Sequence, residues 1–196
     1  MVPTIIFLHG FFASGACVPA VTFKECLSGK ARVLTPDLPL HPREALDFII
    51  GLCAEVSPCL LAGNSNGAFL AQIVASRLSV PALLGNPHFE MTRFLSERIG
   101  RQEYKSPRAD GRSEFVIDRQ LIDEFAGLQS HQWDYCHPAD RGRVWGVFGA
   151  NDHIARYKSL FLEHYDHAFS FPGGHTPTAD EVRRYYVPLA ERLAGM

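Results

Sequence analysis

The chain of 196 residues carries a formal net charge of -2 and is 46% hydrophobic, which predicts a single compact domain over residues 1–196 that needs no disulfides. Its sequence pI near 6.5 gives no electrostatic reason to expect nucleic acid or an anionic membrane as a partner. A small molecule is the expected partner, and the composition leaves the oligomeric state open.

The cysteines and the first residues bear on cellular location. The five cysteines are widely spaced and include no C-x-x-C pair, so we expect reduced thiols and no metal site. The apolar run over residues 2–8 lacks a basic leader and a small-residue cleavage site, and no apolar stretch approaches the roughly 20 residues of a membrane span. These features predict a cytoplasmic protein.

Short apolar or β-branched runs alternate with helical patterns along the chain. This alternation predicts an α/β fold in which helices cover both faces of a mostly parallel sheet. Buried parallel strands are expected to be continuously apolar rather than alternating. The predicted strands cover residues 4–8, 31–35, 59–63, 82–85, 144–148 and 168–171.

Helices are predicted over residues 42–54 and 67–78, and a last helix is predicted to begin at Thr178, with Glu181 completing a capping box. Residues 87–138 interrupt the alternation. This segment is helix-like at 88–99 and 118–130, so we expect a small helical cap inserted into the same domain. Charges of both signs mix in its middle, which favours a solvated face over a binding surface.

The G-x-S-x-G motif at residues 63–67 lies between an apolar run and a helical pattern. That context predicts a nucleophile elbow, in which Ser65 occupies a strained strand-to-helix turn with small residues on either side. The hydroxyl of Ser65 would then point out of the sheet. The backbone N–H of Asn66 would lie beside the developing oxyanion.

A second oxyanion donor is expected in the His9-Gly10-Phe11-Phe12 segment that follows the first strand. The N–H of Phe11 is the predicted donor, although Phe12 is one residue away and the sequence leaves the register open. His9 is expected to shape this loop rather than to act as a base.

Two late strand ends carry the expected acid and base. Asp152 ends the turn after the strand at 144–148, and its alternative role is the N-cap of a helix over 153–164. His175 follows two glycines after the last strand. The chain order Ser65, Asp152, His175 is that of the α/β-hydrolase fold. Asp37 precedes the serine and is interpreted as a turn residue.

The other histidines are assigned no function, because their spacing includes no H-E-x-x-H motif. They are His131, His137, His164 and His167.

With these landmarks in place, the whole chain resembles the YqiA family of small bacterial esterases. The matching segments are Phe7-Leu8-His9-Gly10-Phe11, residues 63–67, Gly85-Asn86-Pro87, residues 149–157 and Gly173-Gly174-His175. The resemblance implies an esterase acting on short acyl groups without a cofactor, with Ser65, Asp152 and His175 as its catalytic triad. Asn66 and Ala68 depart from the family pattern, in which an apolar residue and a second glycine are usual at these positions.

These residues predict a serine hydrolase that cleaves a small carboxylic ester or thioester through an acyl-enzyme. The substrate pocket is expected to be lined by apolar side chains whose alternative role is ordinary core between cap and sheet. They are Phe11, Phe12, Phe89, Met91, Phe94 and Leu95. Two other functions stay open: an acyltransferase that uses the same nucleophile, and a non-catalytic binding protein that retains the fold.

Overall fold

A computed structural model describes residues 2–196, so Met1 of the predicted domain lies outside the described residues. The strands in the described part are β1 (Thr4–Leu8), β2 (Arg32–Leu34), β3 (Leu60–Asn64), β4 (Ala82–Gly85), β5 (Gly100–Glu103), β6 (Glu114–Ile117), β7 (Val144–Gly149) and β8 (His167–Phe171). Six of them form a parallel sheet in the order β2-β1-β3-β4-β7-β8, whereas β5 and β6 pair as a separate antiparallel hairpin.

Helices cover the sheet on both faces. They are α1 (Val18–Cys26), α2 (Pro42–Val56), α3 (Asn66–Leu78), α4 (Met91–Ser96), α5 (Arg119–Ser130), α6 (Asp140–Arg143), α7 (Lys158–His164), α8 (Ala179–Glu181) and α9 (Val187–Ala194), with a π-helical turn (Val182–Tyr186) joining the last two. None of the helices in residues 2–196 is both long and apolar enough to cross a bilayer.

The two faces of the sheet bury separate apolar clusters. Ile5 and Phe7 of β1 lie in one cluster with Phe23 of α1, whereas Ile6 and Leu8 lie in the other. Successive side chains of a strand point to opposite faces, so a strand covered on both sides must be apolar at every position. This requirement explains why the central strands are continuous apolar runs in the sequence.

The predicted fold class is confirmed, and all six predicted strands of the central sheet are present within a residue or two of their expected bounds. The capping box is also confirmed, since the side chain of Thr178 accepts from the Glu181 N–H and Glu181 accepts from the Thr178 N–H. The carboxyl ends of parallel strands meet at one edge of the sheet, so this topology brings the loops after β1, β3, β4, β7 and β8 together.

The segment over 87–138 was expected to be helical at both ends with a charged middle, and the helix predicted over 118–130 is present as α5. The helix predicted over 88–99 is only α4, Met91–Ser96, and the charged middle forms the β5–β6 hairpin. In β6, Phe115 and Ile117 are buried whereas Glu114 and Val116 are exposed. A hairpin with only one buried face needs few apolar residues, so its strands are hard to distinguish from a charged loop.

Candidate active site

Ser65 occupies the turn between β3 and α3 with φ 56 and ψ -119, a backbone conformation that residues other than glycine rarely adopt. The turn is held closely against its neighbours. The Ser65 N–H donates to the Gly85 carbonyl at 2.9 Å, and a Cβ on Gly67 would overlap the Leu8 carbonyl oxygen. The predicted elbow geometry is therefore present, and the glycine at 67 is required by close packing against β1.

The three residues predicted as a triad lie in one hydrogen-bonded chain. The Ser65 Oγ is 2.8 Å from His175 Nε2, and His175 Nδ1 is 2.8 Å from Asp152 Oδ2. An ionised carboxylate can only accept, so Nδ1 carries the proton and Nε2 accepts from the serine hydroxyl. This tautomer leaves Nε2 able to take a proton from Ser65.

Asp152 is 3% exposed and uses both carboxylate oxygens. Its Oδ2 faces His175, while Oδ1 accepts from the N–H groups of Ile154 and Ala155 at 2.7 and 3.0 Å. Burial opposes ionisation, but the hydrogen bonds from His175 and from these backbone groups outweigh it, so the pKa of Asp152 lies below its usual value. The carboxylate therefore stays charged at neutral pH.

The structure corrects the alternative role considered for Asp152. The helix predicted over 153–164 begins only at Lys158, too far along the chain for Asp152 to cap it. Asp152 instead caps the turn that follows it directly. A turn rather than a helix here leaves the second carboxylate oxygen directed at His175.

The loop after β1 approaches the serine closely. A Cβ on Gly10 would lie 3.5 Å from the Ser65 Cβ. No acceptor in residues 2–196 takes the N–H of Phe11, Phe12 or Asn66, so these donors remain available. Their availability is compatible with either register considered for the second donor.

His9 and Asp37 hold this loop in place. His9 accepts from the Leu38 N–H at 2.9 Å through Nε2, and burial lowers its pKa to about 4, so it stays neutral. Asp37 accepts from the Gly15 N–H at 2.8 Å and from the Ala109 N–H at 2.7 Å. His9 thus has the loop-shaping role that was expected, and Asp37 joins the loop to the inserted segment.

An open cleft of about 1130 Å³ has Ser65 and His175 in its wall. Phe11, Phe12 and Phe94 line it, as predicted. Phe89, Met91 and Leu95 do not line the cleft and are fully buried in the core cluster, so their predicted place in the pocket is wrong and their alternative role as core is the one observed.

The charged middle of the inserted segment also reaches the open cleft, and Arg101 and Glu114 stay exposed to solvent there. The charged residues that line the cleft are Arg98, Arg101, Glu103, Lys105 and Glu114. The Arg98 guanidinium lies 3.9 Å from the Phe94 ring centroid, and the Lys105 ammonium lies 5.6 Å from that of Phe12. Cations therefore cover the outer faces of two aromatic rings of the cleft.

Sequence reasoning missed the contact that joins this hairpin to the loop after β1. The Lys105 N–H donates to the Phe12 carbonyl at 2.7 Å. The Ser14 N–H donates to Ser106 Oγ at 2.8 Å, and the Ser14 hydroxyl donates to the Pro107 carbonyl at 2.7 Å. The paired residues are about 90 positions apart in the sequence, and no local pattern marks such pairs.

Residues 2–196 contain no cluster of three or more His, Cys, Asp or Glu side chains arranged to hold a metal ion. The five cysteines are unpaired.

A family comparison matches most of the chain. The sequence profile of an uncharacterised protein family, UPF0227, covers residues 4–170. The chain belongs to this family. The match confirms the resemblance to the YqiA family, whereas a search of curated protein sequences finds no match.

Solved structures with the same fold include several enzymes. Est1E from Butyrivibrio proteoclasticus is 16% identical with a TM-score of 0.71, over 99% of this chain and 89% of that one. A monoacylglycerol lipase from Paleococcus ferrophilus is 13% identical with a TM-score of 0.72, over 98% and 94%. The esterase domain of a Rhodothermus marinus protein is 19% identical with a TM-score of 0.69, over 99% and 87%. At these identities the likeness establishes the α/β-hydrolase fold.

Proposed function

We propose that the protein is a serine hydrolase that cleaves a small carboxylic ester or thioester through an acyl-enzyme. Ser65 is the nucleophile, His175 the general base and Asp152 the residue that orients it. The observation that carries the proposal is the continuous hydrogen-bonded chain from Asp152 through His175 to Ser65, at 2.8 Å for each bond, in the wall of an open cleft.

In the first half of the reaction, Ser65 Oγ attacks the substrate carbonyl as its proton passes to His175 Nε2. The carbonyl oxygen becomes negative, and the N–H groups of Phe11 and Asn66 stabilise it. The Asp152 carboxylate stabilises the imidazolium electrostatically and itself remains ionised. The protonated ring then donates its proton to the leaving alcohol or thiol as the tetrahedral intermediate breaks down to an acyl-Ser65 ester.

In the second half, a water molecule enters beside His175, which removes its proton as the water oxygen attacks the acyl carbonyl. The same N–H groups stabilise the second oxyanion. His175 then returns the proton to Ser65 Oγ, which releases a carboxylic acid and restores the hydroxyl. No group beyond the chain and water is needed to balance either step.

We also propose that residues 87–138 act as a cap that shapes the substrate cleft. Phe12 and Phe94 would contact the apolar part of the substrate near Ser65, because their rings lie 6.0 Å apart in the wall of the same cleft. The names of the similar structures, which include esterases and a monoacylglycerol lipase, support ester bonds as the substrate class.

The test combines covalent labelling with turnover. A fluorophosphonate probe should add its mass to Ser65 of the folded protein, and p-nitrophenyl acetate, p-nitrophenyl butyrate and butyryl-CoA should be compared as substrates. We expect Ser65→Ala to remove labelling and to lower kcat by at least about 10³-fold. Equal rates for wild type and a folded Ser65→Ala variant would refute the proposal.

A further inference from the structure

Asn86 lies at the junction of β4 with the inserted segment and is fully buried. Its backbone has φ 41, a region that Asn tolerates better than most residues. Its side chain is saturated with partners. The Oδ1 atom accepts from the Gly149 N–H at 2.7 Å, and Nδ2 donates to the carbonyls of Gly174 and His175 at 2.9 and 2.8 Å.

These bonds connect three loops at the carboxyl end of the sheet. Gly149 ends β7 and starts the turn to Asp152, whose N–H donates back to the Gly149 carbonyl at 3.1 Å. The two carbonyls that accept from Asn86 Nδ2 lie in the loop after β8, and one of them is the carbonyl of His175 itself. One buried amide thus holds both the loop of the proposed acid and the loop of the proposed base.

The neighbouring residue holds the nucleophile. The Gly85 carbonyl accepts from the Ser65 N–H at 2.9 Å, so two consecutive residues at the end of β4 contact all three loops of the proposed triad. The side chain of Asn64 adds a longer bond of 3.3 Å to the His175 carbonyl. The end of β4 is therefore the common reference for the positions of Ser65, Asp152 and His175.

The amide group is chemically suited to this place. The amide oxygen accepts from the Gly149 N–H, and the two hydrogens on the amide nitrogen are donated to the carbonyls of Gly174 and His175. A carboxylate would meet the N–H of Gly149 but would face the two carbonyls with negative charge. A glycine would suit the positive φ but would leave the Gly149 N–H and the Gly174 carbonyl without this partner and the His175 carbonyl with only the longer bond from Asn64, each at a cost.

We propose that Asn86 is a positioning residue for the reaction, setting the distance from His175 Nε2 to Ser65 Oγ by anchoring the acid and base loops to β4. This inference rests on the proposed function. Asn86 does not line the cleft, so its removal should affect the chemical step and leave substrate binding intact. A misplacement of about 1 Å in a reacting group can lower the rate about 10²-fold.

The experiment uses two variants of the full chain with p-nitrophenyl butyrate. Asn86→Gly removes all three side-chain bonds and places at the positive φ a residue that adopts it without steric cost. Asn86→Asp keeps the size of the side chain and the bond from Gly149 but loses both donated bonds, so it provides a folded variant if the glycine variant is unstable. Ser79→Gly is the matched control, because Ser79 has φ 59 at the far end of α3, remote from the loops that Asn86 joins.

We expect both Asn86 variants to lower kcat by about 10²-fold with KM changed by less than about threefold, whereas Ser79→Gly keeps both constants. The downfield proton resonance of the Asp152–His175 hydrogen bond should shift or broaden in the Asn86 variants alone. Thermal unfolding checks that each variant is folded at the assay temperature.

The outcomes separate the two proposals. If wild type turns over the ester and Ser65→Ala does not, a folded Asn86 variant with kcat within about twofold of wild type overturns the positioning role and leaves the hydrolase intact. If Ser65→Ala keeps the wild-type rate, the proposed function itself fails. A large rise in KM with unchanged kcat would also overturn the positioning role, because it would place Asn86 in substrate binding.

Discussion

The carboxyl end of the central sheet and the β5–β6 hairpin differ in how their polar groups are held. At the sheet end, Asp152 and Asn86 are buried and fully hydrogen-bonded. On the hairpin, Arg101 and Glu114 pair at 2.9 Å with 75% and 46% of their side chains exposed. Buried bonded groups fix a geometry, whereas exposed ion pairs contribute little energy and rearrange easily. The sheet end therefore has the fixed geometry that the proposed chemistry requires, whereas the charged side chains of the hairpin can rearrange.

The two regions are not independent, because the hairpin is anchored on the loop that carries Phe11 and Phe12. The bonds from Lys105 to Phe12 and from Ser14 to Ser106 make the inserted segment a support for the proposed oxyanion donors. His88 adds a second junction, with its ring perpendicular to that of His175 at 6.4 Å between centroids. Variants in each region should therefore affect different quantities by different amounts.

The largest effect is expected from the acid at the sheet end. Asp152→Asn should lower kcat about 10⁴-fold with little change in KM, because an amide can donate to His175 Nδ1 and stabilise the tautomer that cannot accept from Ser65. Steady-state kinetics with p-nitrophenyl butyrate measures this. Asp123→Asn, at an exposed position on α5, is the control. A loss of less than tenfold would show that the carboxylate does not orient the base.

The next largest effect is expected at His88, in the pH dependence of the free energy of unfolding. Burial, followed by the neighbouring His175, lowers the pKa of His88 to about 4, whereas an unfolded histidine titrates near 6.5. The unfolded state therefore binds more protons between these pH values. The contribution of neutral His88 to the free energy of unfolding is fully present above about pH 6.5 and is lost as the pH falls towards 4. His9 behaves alike, because burial lowers its pKa to about 4 as well.

We expect His88→Phe to reduce the acid-induced loss of unfolding free energy by about 2 to 3 kcal/mol between pH 7 and 4. Denaturant titrations at several pH values measure it. His131→Phe is the control, since the His131 side chain is 70% exposed. The free energy of unfolding of this variant should fall with decreasing pH as it does in wild type. An unchanged pH dependence in His88→Phe would mean that His88 titrates normally in the folded protein.

The smallest effect is expected where the hairpin supports the loop after β1. Ser106→Ala removes the acceptor of the buried Ser14 N–H, so the proposed oxyanion donors should shift and kcat should fall about tenfold, less than for the loss of a donor itself. Ser113→Ala, at an exposed position of the same hairpin, should keep the wild-type kcat. If both variants keep it, the hairpin does not position the loop, and the two regions are independent.

The sequence alone was sufficient for the features that depend on local pattern. Continuous apolar runs predicted the four central strands, which are buried on both faces and so have few polar positions. The edge strands β2 and β8 are partly exposed and were predicted from their β-branched and aromatic residues. The small residues around Ser65 predicted the elbow, because only they fit a turn packed against β1. The chain order of Ser65, Asp152 and His175 then placed three residues at the carboxyl edge of one parallel sheet, where they do lie within hydrogen-bond reach.

Only the tertiary structure decided what depends on contacts between distant segments. Phe89 and Met91 are buried by packing against the core cluster, and the hairpin within 87–138 buries only one face. The bonds from Ser14 to Ser106 and the three bonds of Asn86 join residues far apart in the chain. Such pairs are set by packing and by the need to satisfy buried polar groups, and neither leaves a periodic signal. The sequence thus determined which groups meet at the sheet edge, and the fold decided what holds them in place and what covers them.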